Sequence, residues 1–374
     1  MKTLIFPSEF IDNKGGVPQT TISIVKGLNH CPNLNIVVVC PRNSEMAMTQ
    51  FPNNVIVCTT RSIVWTMSKR NIFRTLGTIV DLYKVIRPFL NEDTWVVTNQ
   101  PVTSSLISLL PCKHIKEIYI NRGGDFMDGG FASRIIQNKL KHGIIEYAVG
   151  ISKRQCNLLA KYGMPTDRIF LIHNGLPKPS VNYEYKRLSK ENLKISTIGY
   201  ISDLKNQIEG VKLVKMLRYA GINASLNLYG VPDSDKEYQI KIHCLIKDLE
   251  LDSYINFCGF VSGEELFADT DILISFSRSE GFGRSLVEGM LRKKPIIAWR
   301  GAGGPVDITN NGLCGHLVDN NNASDYFDVV TNLLNDPLRN KQNVEDSFNF
   351  ASRHFTVDCM VDNYVQLFKD NCIL

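Results

Sequence analysis

The sequence predicts an α/β protein of two doubly wound parallel-sheet domains, and three observations carry that expectation. The chain has 374 residues, more than one compact core holds and about the length of two domains. Short apolar runs without polar alternation recur along it, which marks strands buried on both faces. Longer mixed segments separate most of these runs, and parallel strands need such crossovers.

The elements follow in order. Met1-Lys2-Thr3-Leu4-Ile5-Phe6-Pro7-Ser8 has one lysine and only three consecutive apolar residues before its proline. It lacks the hydrophobic region of an export signal and reads as a first strand, Leu4 to Phe6. Further strands are expected at Ile36 to Cys40, Val55 to Cys58, Trp95 to Thr98, Ile118 to Ile120, Ala148 to Ile151 and Ile169 to Ile172. Asn174-Gly175-Leu176-Pro177-Lys178-Pro179-Ser180, followed by Tyr183 to Arg187, is polar and proline-bearing and reads as a linker, which sets domains at 1–175 and 176–354. The second half repeats the plan at Ile195 to Ile198, Leu226 to Tyr229, Ile255 to Phe257, Ile272 to Phe276, Ile296 to Trp299 and His316 to Val318. Helical patterns fall between, at Val211 to Tyr219 and Tyr238 to Leu249. Val361, Tyr364, Val365 and Phe368 have helical spacing, so 355–374 is expected to end the chain as an amphipathic helix. The longest apolar runs are strand-sized, so no membrane span is expected.

Composition narrows the class. With 44% hydrophobic and 21% charged residues, collagen-like and disordered readings are excluded. None of the 10 cysteines forms a C-x-x-C pair, so a zinc knuckle is not expected and reduced thiols in a cytosolic protein are. The net charge of +5 is uneven: residues 1–175 hold 20 Lys and Arg against 11 Asp and Glu, whereas 176–354 hold 21 against 23. The halves are expected to meet different partners.

Ser277-Arg278-Ser279-Glu280-Gly281-Phe282-Gly283-Arg284-Ser285-Leu286-Val287-Glu288-Gly289-Met290 carries the most chemistry. It follows a strand and opens a helix. Gly281 and Gly283 let the backbone turn sharply, while Arg284 and Ser285 fall on the first helical turn, where unpaired amides favour a phosphate. Glu288, one turn on, is placed to accept ribose hydroxyls, and Glu280 to face the opposite end of the ligand. In isolation the two carboxylates would read as solvated residues flanking a helix start; bracketing Gly-Phe-Gly at this junction, they read as a site.

This stretch strongly resembles the signature of family 4 retaining glycosyltransferases. Ile198-Gly199-Tyr200-Ile201-Ser202-Asp203-Leu204-Lys205-Asn206-Gln207 is similar to that family's G-R-L-x-x-x-K segment. Ile255 to Val261, Lys294 to Ala298, Gly303-Gly304 and Gly312 to Val318 fall in its order and spacing. Gly15-Gly16-Val17 resembles its glycine-rich acceptor-side loop, and Ile172 to Gly175 the end of its first lobe. The similarity is clear over about residues 195 to 320 and weaker before. It implies the GT-B fold, with two Rossmann-like lobes facing a cleft and a last helix crossing back to the first. By resemblance, Lys205 contacts the donor diphosphate with the amides around Gly283 to Ser285, Glu288 holds the ribose and Glu280 orients the transferred sugar. Gly15, Gly16, Gly199, Gly281 and Phe282 complete the donor set, no metal or cofactor is required, and Glu280, Arg122 and Lys205 form the catalytic set.

Two departures are informative. The family's diphosphate-binding arginine is replaced by Tyr200, and Arg284 stands where leucine is common, so Arg284 is expected to take over part of the leaving-group contact; a solvent-facing arginine is the alternative. Asn121-Arg122-Gly123-Gly124-Asp125-Phe126 stands where many relatives have a histidine, so Arg122 is expected at donor phosphate or acceptor, with Asp125 and Asp128 as weaker candidates, against a role in shaping the loop. Asp233-Ser234-Asp235 and Asp269-Thr270-Asp271 read as turn and cap chemistry rather than metal sites.

Arg61-Ser62-Ile63-Val64-Trp65-Thr66-Met67-Ser68-Lys69-Arg70-Asn71-Ile72-Phe73-Arg74 mixes apolar residues with four cations. It reads either as a segment docking on anionic lipid or as a core helix with basic edges, and the first half's charge favours the lipid. Nucleic acid is not expected. The expected function is transfer of a hexose or N-acetylhexosamine from a UDP-sugar to a lipid-linked saccharide in O-antigen, capsule or exopolysaccharide synthesis, by a cytoplasmic enzyme peripheral at the inner face of the plasma membrane. The rivals are a GDP-mannose-dependent mannosyltransferase, a nucleotide-sugar 2-epimerase on the same fold and a two-lobe sugar-binding protein. A dehydrogenase is disfavoured because no G-x-G-x-x-G follows a first strand.

Overall fold

The computed structural model describes residues 2–9, 16–42, 51–62, 65, 72–112, 115–123, 131–233, 235–261 and 263–374. The chain divides into two units, Met1–Gly175 with Val357–Leu374, and Leu176–Thr356.

The first unit runs β1 (Lys2–Pro7), α1 (Gly16–Leu28), β2 (Leu34–Pro41), β3 (Ile56–Thr60), α2 (Ile72–Ile86), β4 (Thr94–Thr98), α3 (Pro101–Ser108), β5 (Lys116–Asn121), α4 (Phe131–Lys141), β6 (Tyr147–Gly150), α5 (Lys153–Lys161) and β7 (Ile169–Leu171). The strands form one parallel sheet in the order β3-β2-β1-β4-β5-β6-β7. Val37, Val38 and Val39 are all fully buried, as a strand covered on both faces requires. β3 begins at Ile56, one residue later than its apolar run. Val55 instead closes a turn, its amide bonded to the Pro52 carbonyl at 3.0 Å.

The second unit runs β8 (Leu193–Ile198), α6 (Ile208–Tyr219), β9 (Ala224–Tyr229), α7 (Lys236–Asp248), β10 (Ile255–Gly259), α8 (Glu264–Ala268), β11 (Ile272–Ser275), α9 (Arg284–Met290), β12 (Ile296–Trp299), α10 (Gly304–Ile308), β13 (His316–Val318), α11 (Ala323–Asn335) and α12 (Pro337–His354). Its six strands are also parallel, in the order β10-β9-β8-β11-β12-β13. One core joins β8, β9, β11 and β12 to α6, α7 and α11.

The last helix, α13 (Val357–Asp370), belongs to the first unit. It buries Met360, Tyr364, Leu367 and Phe368, while Val361 and Val365 are half-buried, so the covered stripe is rotated from the expected one. Val361 fills the space that Gly27 leaves on α1, where an added Cβ would overlap it. All 10 cysteines are free thiols. Among the described residues no helix is long and apolar enough to cross a membrane.

Candidate functional site

In the second sheet the strand order reverses between β8 and β11, whose following connections leave in opposite directions. A crevice outside the carboxyl ends of such a pair is where open α/β sheets take ligands. The loops leaving these two strands carry Gly199 to Lys205 and Ser277 to Gly283.

The two loops meet. Lys205 Nζ lies 2.5 Å from Glu280 Oε1, and Ser277 Oγ donates to the same oxygen at 2.8 Å. Both charged side chains are mostly buried, so the pair is held rather than merely transient. The sequence reading set Glu280 at the end of the ligand opposite the phosphate; the structure joins it to the lysine assigned to that phosphate. The backbone explains the placement. Glu280 donates its amide to the Ala302 carbonyl at 2.9 Å and accepts from Gly304 at 3.0 Å, which pins the loop to the one after β12. Gly199, at φ +145°, leaves room for the lysine stem: an added Cβ would stand 3.0 Å from Lys205 Cε.

Gly283 caps α9 at φ +102°, a left-handed conformation that favours glycine. Arg284 and the half-buried Ser285 follow on the first turn. Arg284 Nη2 lies 3.5 Å from Glu288 Oε1. Burial pushes the Glu288 carboxyl above its usual range, opposed by the nearby Arg284 and Arg292 cations. Phe282, expected in the donor set, is buried with its ring edge-on to Phe355 at 5.5 Å. It anchors the loop from beneath, and half-exposed Gly281 presents backbone only.

Two features were missed in the sequence. Arg292 is buried, grips Glu264 with two bonds of 2.9 Å and donates to the Glu288 carbonyl at 3.1 Å. That pairing holds the Glu264 carboxyl below its usual range. The four-residue step from Glu288 to Arg292 was readable, but not Glu264. The second feature is a rim of exposed Tyr200, Val231 and Phe260 beyond the ends of β8, β9 and β10. Backbone bonds stitch it together: Gly199 to Tyr229 at 2.9 Å, Ile201 to Val231 at 3.0 Å and Gly230 to Gly259 at 2.7 Å. Exposed aromatic faces on a rigid platform can stack a planar ring.

Both D-x-D sequences serve local structure. Asp235 caps α7, accepting from the Tyr238 amide at 3.0 Å. Asp271 accepts from the Lys194 amide at 3.0 Å and from Lys186 at 2.8 Å, and Asp269 pairs with Lys194.

In the first unit the order reverses between β1 and β4. Gly16 opens α1, whereas Gly15, Asp125 and Asp128 lie outside the described residues. Arg122, just past β5, donates to Asn174 Oδ1 at 3.3 Å, and His173 Nδ1 sits 3.1 Å from the Ile151 carbonyl. Glu9, just past β1, has its carboxyl pushed up to about 7 by burial. Within Arg61 to Arg74, Ile63, Val64 and 66–71 lie outside the described residues. Trp65, expected at a lipid surface, is 1% exposed and donates its indole N–H to Thr60 Oγ1 at 2.9 Å, so it belongs to the core.

Comparison with known proteins bears on the fold and on the second unit. Residues 184–348 match the family model described as glycosyl transferases group 1. The chain is 24% identical over 261 residues, 67% of its length, to poly(ribitol-phosphate) alpha-N-acetylglucosaminyltransferase of Staphylococcus aureus (strain COL), and that alignment spans 50% of the relative. Among solved structures, the Anabaena HepE protein in complex with UDP and glucose superposes with a TM-score of 0.76 at 16% identity, over 99% of this chain and 100% of that one. Sucrose-phosphate synthase from Thermosynechococcus elongatus gives 0.79 at 13% identity, over 99% of each chain. The chain thus has the GT-B fold of two parallel-sheet α/β domains, and its residues 184–348 form a glycosyl transferases group 1 domain.

Proposed function

We propose that the protein is a retaining, metal-independent glycosyltransferase. It would move a hexose or N-acetylhexosamine from a UDP-sugar to a lipid-linked saccharide in O-antigen, capsule or exopolysaccharide assembly, at the cytoplasmic face of the membrane. The observation that carries this reading is the meeting of Lys205 and Glu280 at the β8–β11 reversal. Negative charge grows on the departing diphosphate as the glycosidic bond breaks, and a fixed ammonium beside it lowers the barrier. Lys205, Arg284 and the first-turn amides of α9 supply that positive potential. Lys205 and Ser277 both bind Glu280 through Oε1, which leaves Oε2 to accept a sugar hydroxyl. Glu288 accepts from the ribose, and the Tyr200–Phe260 rim offers a stacking face for the base. Arg122 belongs to the acceptor side. The S. aureus relative's name, an N-acetylglucosaminyltransferase, and the UDP in the HepE structure support the sugar class and the nucleotide.

Thermal-shift titration tests the reading. A ligand at about one hundred times its Kd stabilises the native state by about 2.7 kcal/mol, a readable rise in Tm. UDP and UDP-sugars are expected to give that rise, GDP-mannose and ADP-glucose not. A response to GDP-mannose alone would move the assignment to a mannosyltransferase, and no response to any nucleotide would overturn it. Incubation with donor alone excludes the epimerase if no epimeric sugar nucleotide forms.

A further inference from the structure

Lys205 stands in the turn that leaves β8, and that turn is held unevenly. The amides of Lys205 and Asn206 both donate to the Ser202 carbonyl at 3.0 Å, which closes the bend. Its inner side, Ser202, Asn206 and Gln207, is buried. Gln207 braces this side, donating to the Tyr200 carbonyl at 2.8 Å and accepting from the Ser202 amide at 3.3 Å. Asn206 takes φ +53°, a left-handed conformation that asparagine tolerates. The outer side, Asp203 and Leu204, is exposed, so packing does not fix it.

Arg278, on the facing loop after β11, holds that outer side by hydrogen bonds. Its amide donates to the Leu204 carbonyl at 2.8 Å, its Nε to the Asp203 carbonyl at 3.1 Å and its Nη2 to Asn206 Oδ1 at 3.1 Å. The Asp203 carboxylate lies 3.5 Å from the same guanidinium. These partners are the two residues before Lys205 and the one after it. Two residues further along the loop, Glu280 takes the Lys205 ammonium. One short stretch of chain thus grips the lysine twice, at its backbone and at its charged end. A guanidinium suits the first grip, because its planar fork sets two acceptors at once, whereas an ammonium is a single point charge.

We propose that Arg278 is a positioning residue for the donor diphosphate: it fixes the turn from Asp203 to Asn206 and thereby aims the Lys205 ammonium. Its own guanidinium is committed to Asp203 and Asn206, so it acts through the lysine rather than on the phosphate. Electrostatic stabilisation depends on charges set in place beforehand, and a displacement of about 1 Å is enough to weaken it. The side chain of Arg278 is 53% exposed, so its removal opens no buried gap and the fold is expected to tolerate the loss. The inference rests on the role proposed for Lys205 and deepens it by naming the residue that keeps the lysine in place.

A double-mutant cycle read by titration calorimetry on the full-length protein tests it, with UDP and GDP as probes. Arg278→Ala should weaken binding of the nucleoside diphosphate about tenfold. Its Tm should stay within about 2 °C of the parent, which separates lost positioning from lost folding. Lys205→Ala should weaken binding at least as much, and adding Arg278→Ala to it should then change the affinity by less than about twofold. Arg278→Lys keeps the charge but not the fork, so it should lose nearly as much as Arg278→Ala, and it carries the same comparison should the alanine variant melt early. Parent-like affinity in Arg278→Ala, or full additivity with Lys205→Ala, would overturn the proposal. So would parent-like affinity in Arg278→Lys, which would show that positive charge alone suffices. A parent that binds neither nucleotide would remove the donor reading and this inference with it. A parent that binds while Lys205→Ala keeps full affinity would remove the assignment of Lys205, whereas failures at Arg278 remove this inference alone.

Discussion

Lys205 and Glu280 are 75 residues apart in the chain and share one hydrogen bond because β8 and β11 lie side by side. Their roles separate by substitution. Lys205→Ala removes one fixed positive charge from the leaving group and frees Glu280 from its partner, so kcat should fall by about 10²–10³, roughly 2.7–4 kcal/mol. Steady-state kinetics with donor and acceptor both saturating would read this, and a kcat within a factor of about two of the parent would sink the assignment. Stability has its own sensitive residues. Glu117 and Lys139 form an ion pair that is only 3% exposed on each side, completed by Thr98 and Ser104 hydroxyls at 2.6 and 2.5 Å. Lys139→Met leaves a buried carboxylate without its cation and should cost about 3–5 kcal/mol in urea unfolding, part of which Glu117→Gln should recover. His316 gives a pH signature. Burial, reinforced by Arg339, lowers its imidazole to about 4, so it stays neutral in the folded protein while the unfolded chain takes up a proton below its ordinary value of 6.5. The unfolded state therefore binds more protons between those values, and stability falls as pH drops through that window, by at most about 1.4 kcal/mol per pH unit. Urea unfolding at several pH values should show this slope flattened in His316→Gln; identical slopes would exclude the residue as its source.

At the scale of elements, the α1–α13 contact shows how one glycine selects a helix partner. Gly27 lacks the Cβ that would overlap Val361, so the two helices approach closely there. Gly27→Val should destabilise by roughly 1–3 kcal/mol through overpacking, while Val361→Ala combined with Gly27→Ala should lose less than the two single changes added together. Additive losses in a double-mutant cycle would show that the two positions do not share one gap. α9 illustrates a different economy of structure. It is seven residues long, yet Arg292, just past its end, grips Glu264 and the Glu288 carbonyl, so its orientation is set by side-chain bonds more than by its own length.

For the whole molecule, the chain leaves the first unit and returns to it at its end. The first unit is completed only by residues 357–374, after the second has been traversed. α13 buries Met360, Tyr364, Leu367 and Phe368. At about 1.5–3 kcal/mol for each large side chain, that is roughly 6–12 kcal/mol, comparable with the net stability of an entire domain. A chain ending at Thr356 should therefore lose the cooperative melting of the first unit while the second still unfolds as a unit. Calorimetry distinguishes this from a parent-like profile, which would mean that α13 contributes little.

Much of this was legible beforehand. Short apolar runs marked each of the thirteen strands among the described residues; β2 and β4, buried on both faces, need no knowledge of their neighbours to be recognised, whereas β3 and β10 at the sheet edges are partly exposed. Glu280, Gly283 and Glu288 could be singled out because a glycine-bearing turn from a strand into a helix has a local signature, and Lys205 through the family resemblance of its segment. What the sequence could not supply was adjacency. The bond between Lys205 and Glu280, the grip of Arg292 on Glu264, the inward turn of Phe282 and Trp65, and the outward turn of Phe73, Leu76 and Val80 all depend on which strands and helices become neighbours. Periodicity along a chain determines that a segment has an apolar face; only the packed structure decides whether a given apolar side chain meets the core, a partner loop or the solvent, because that choice is made by residues far away in sequence.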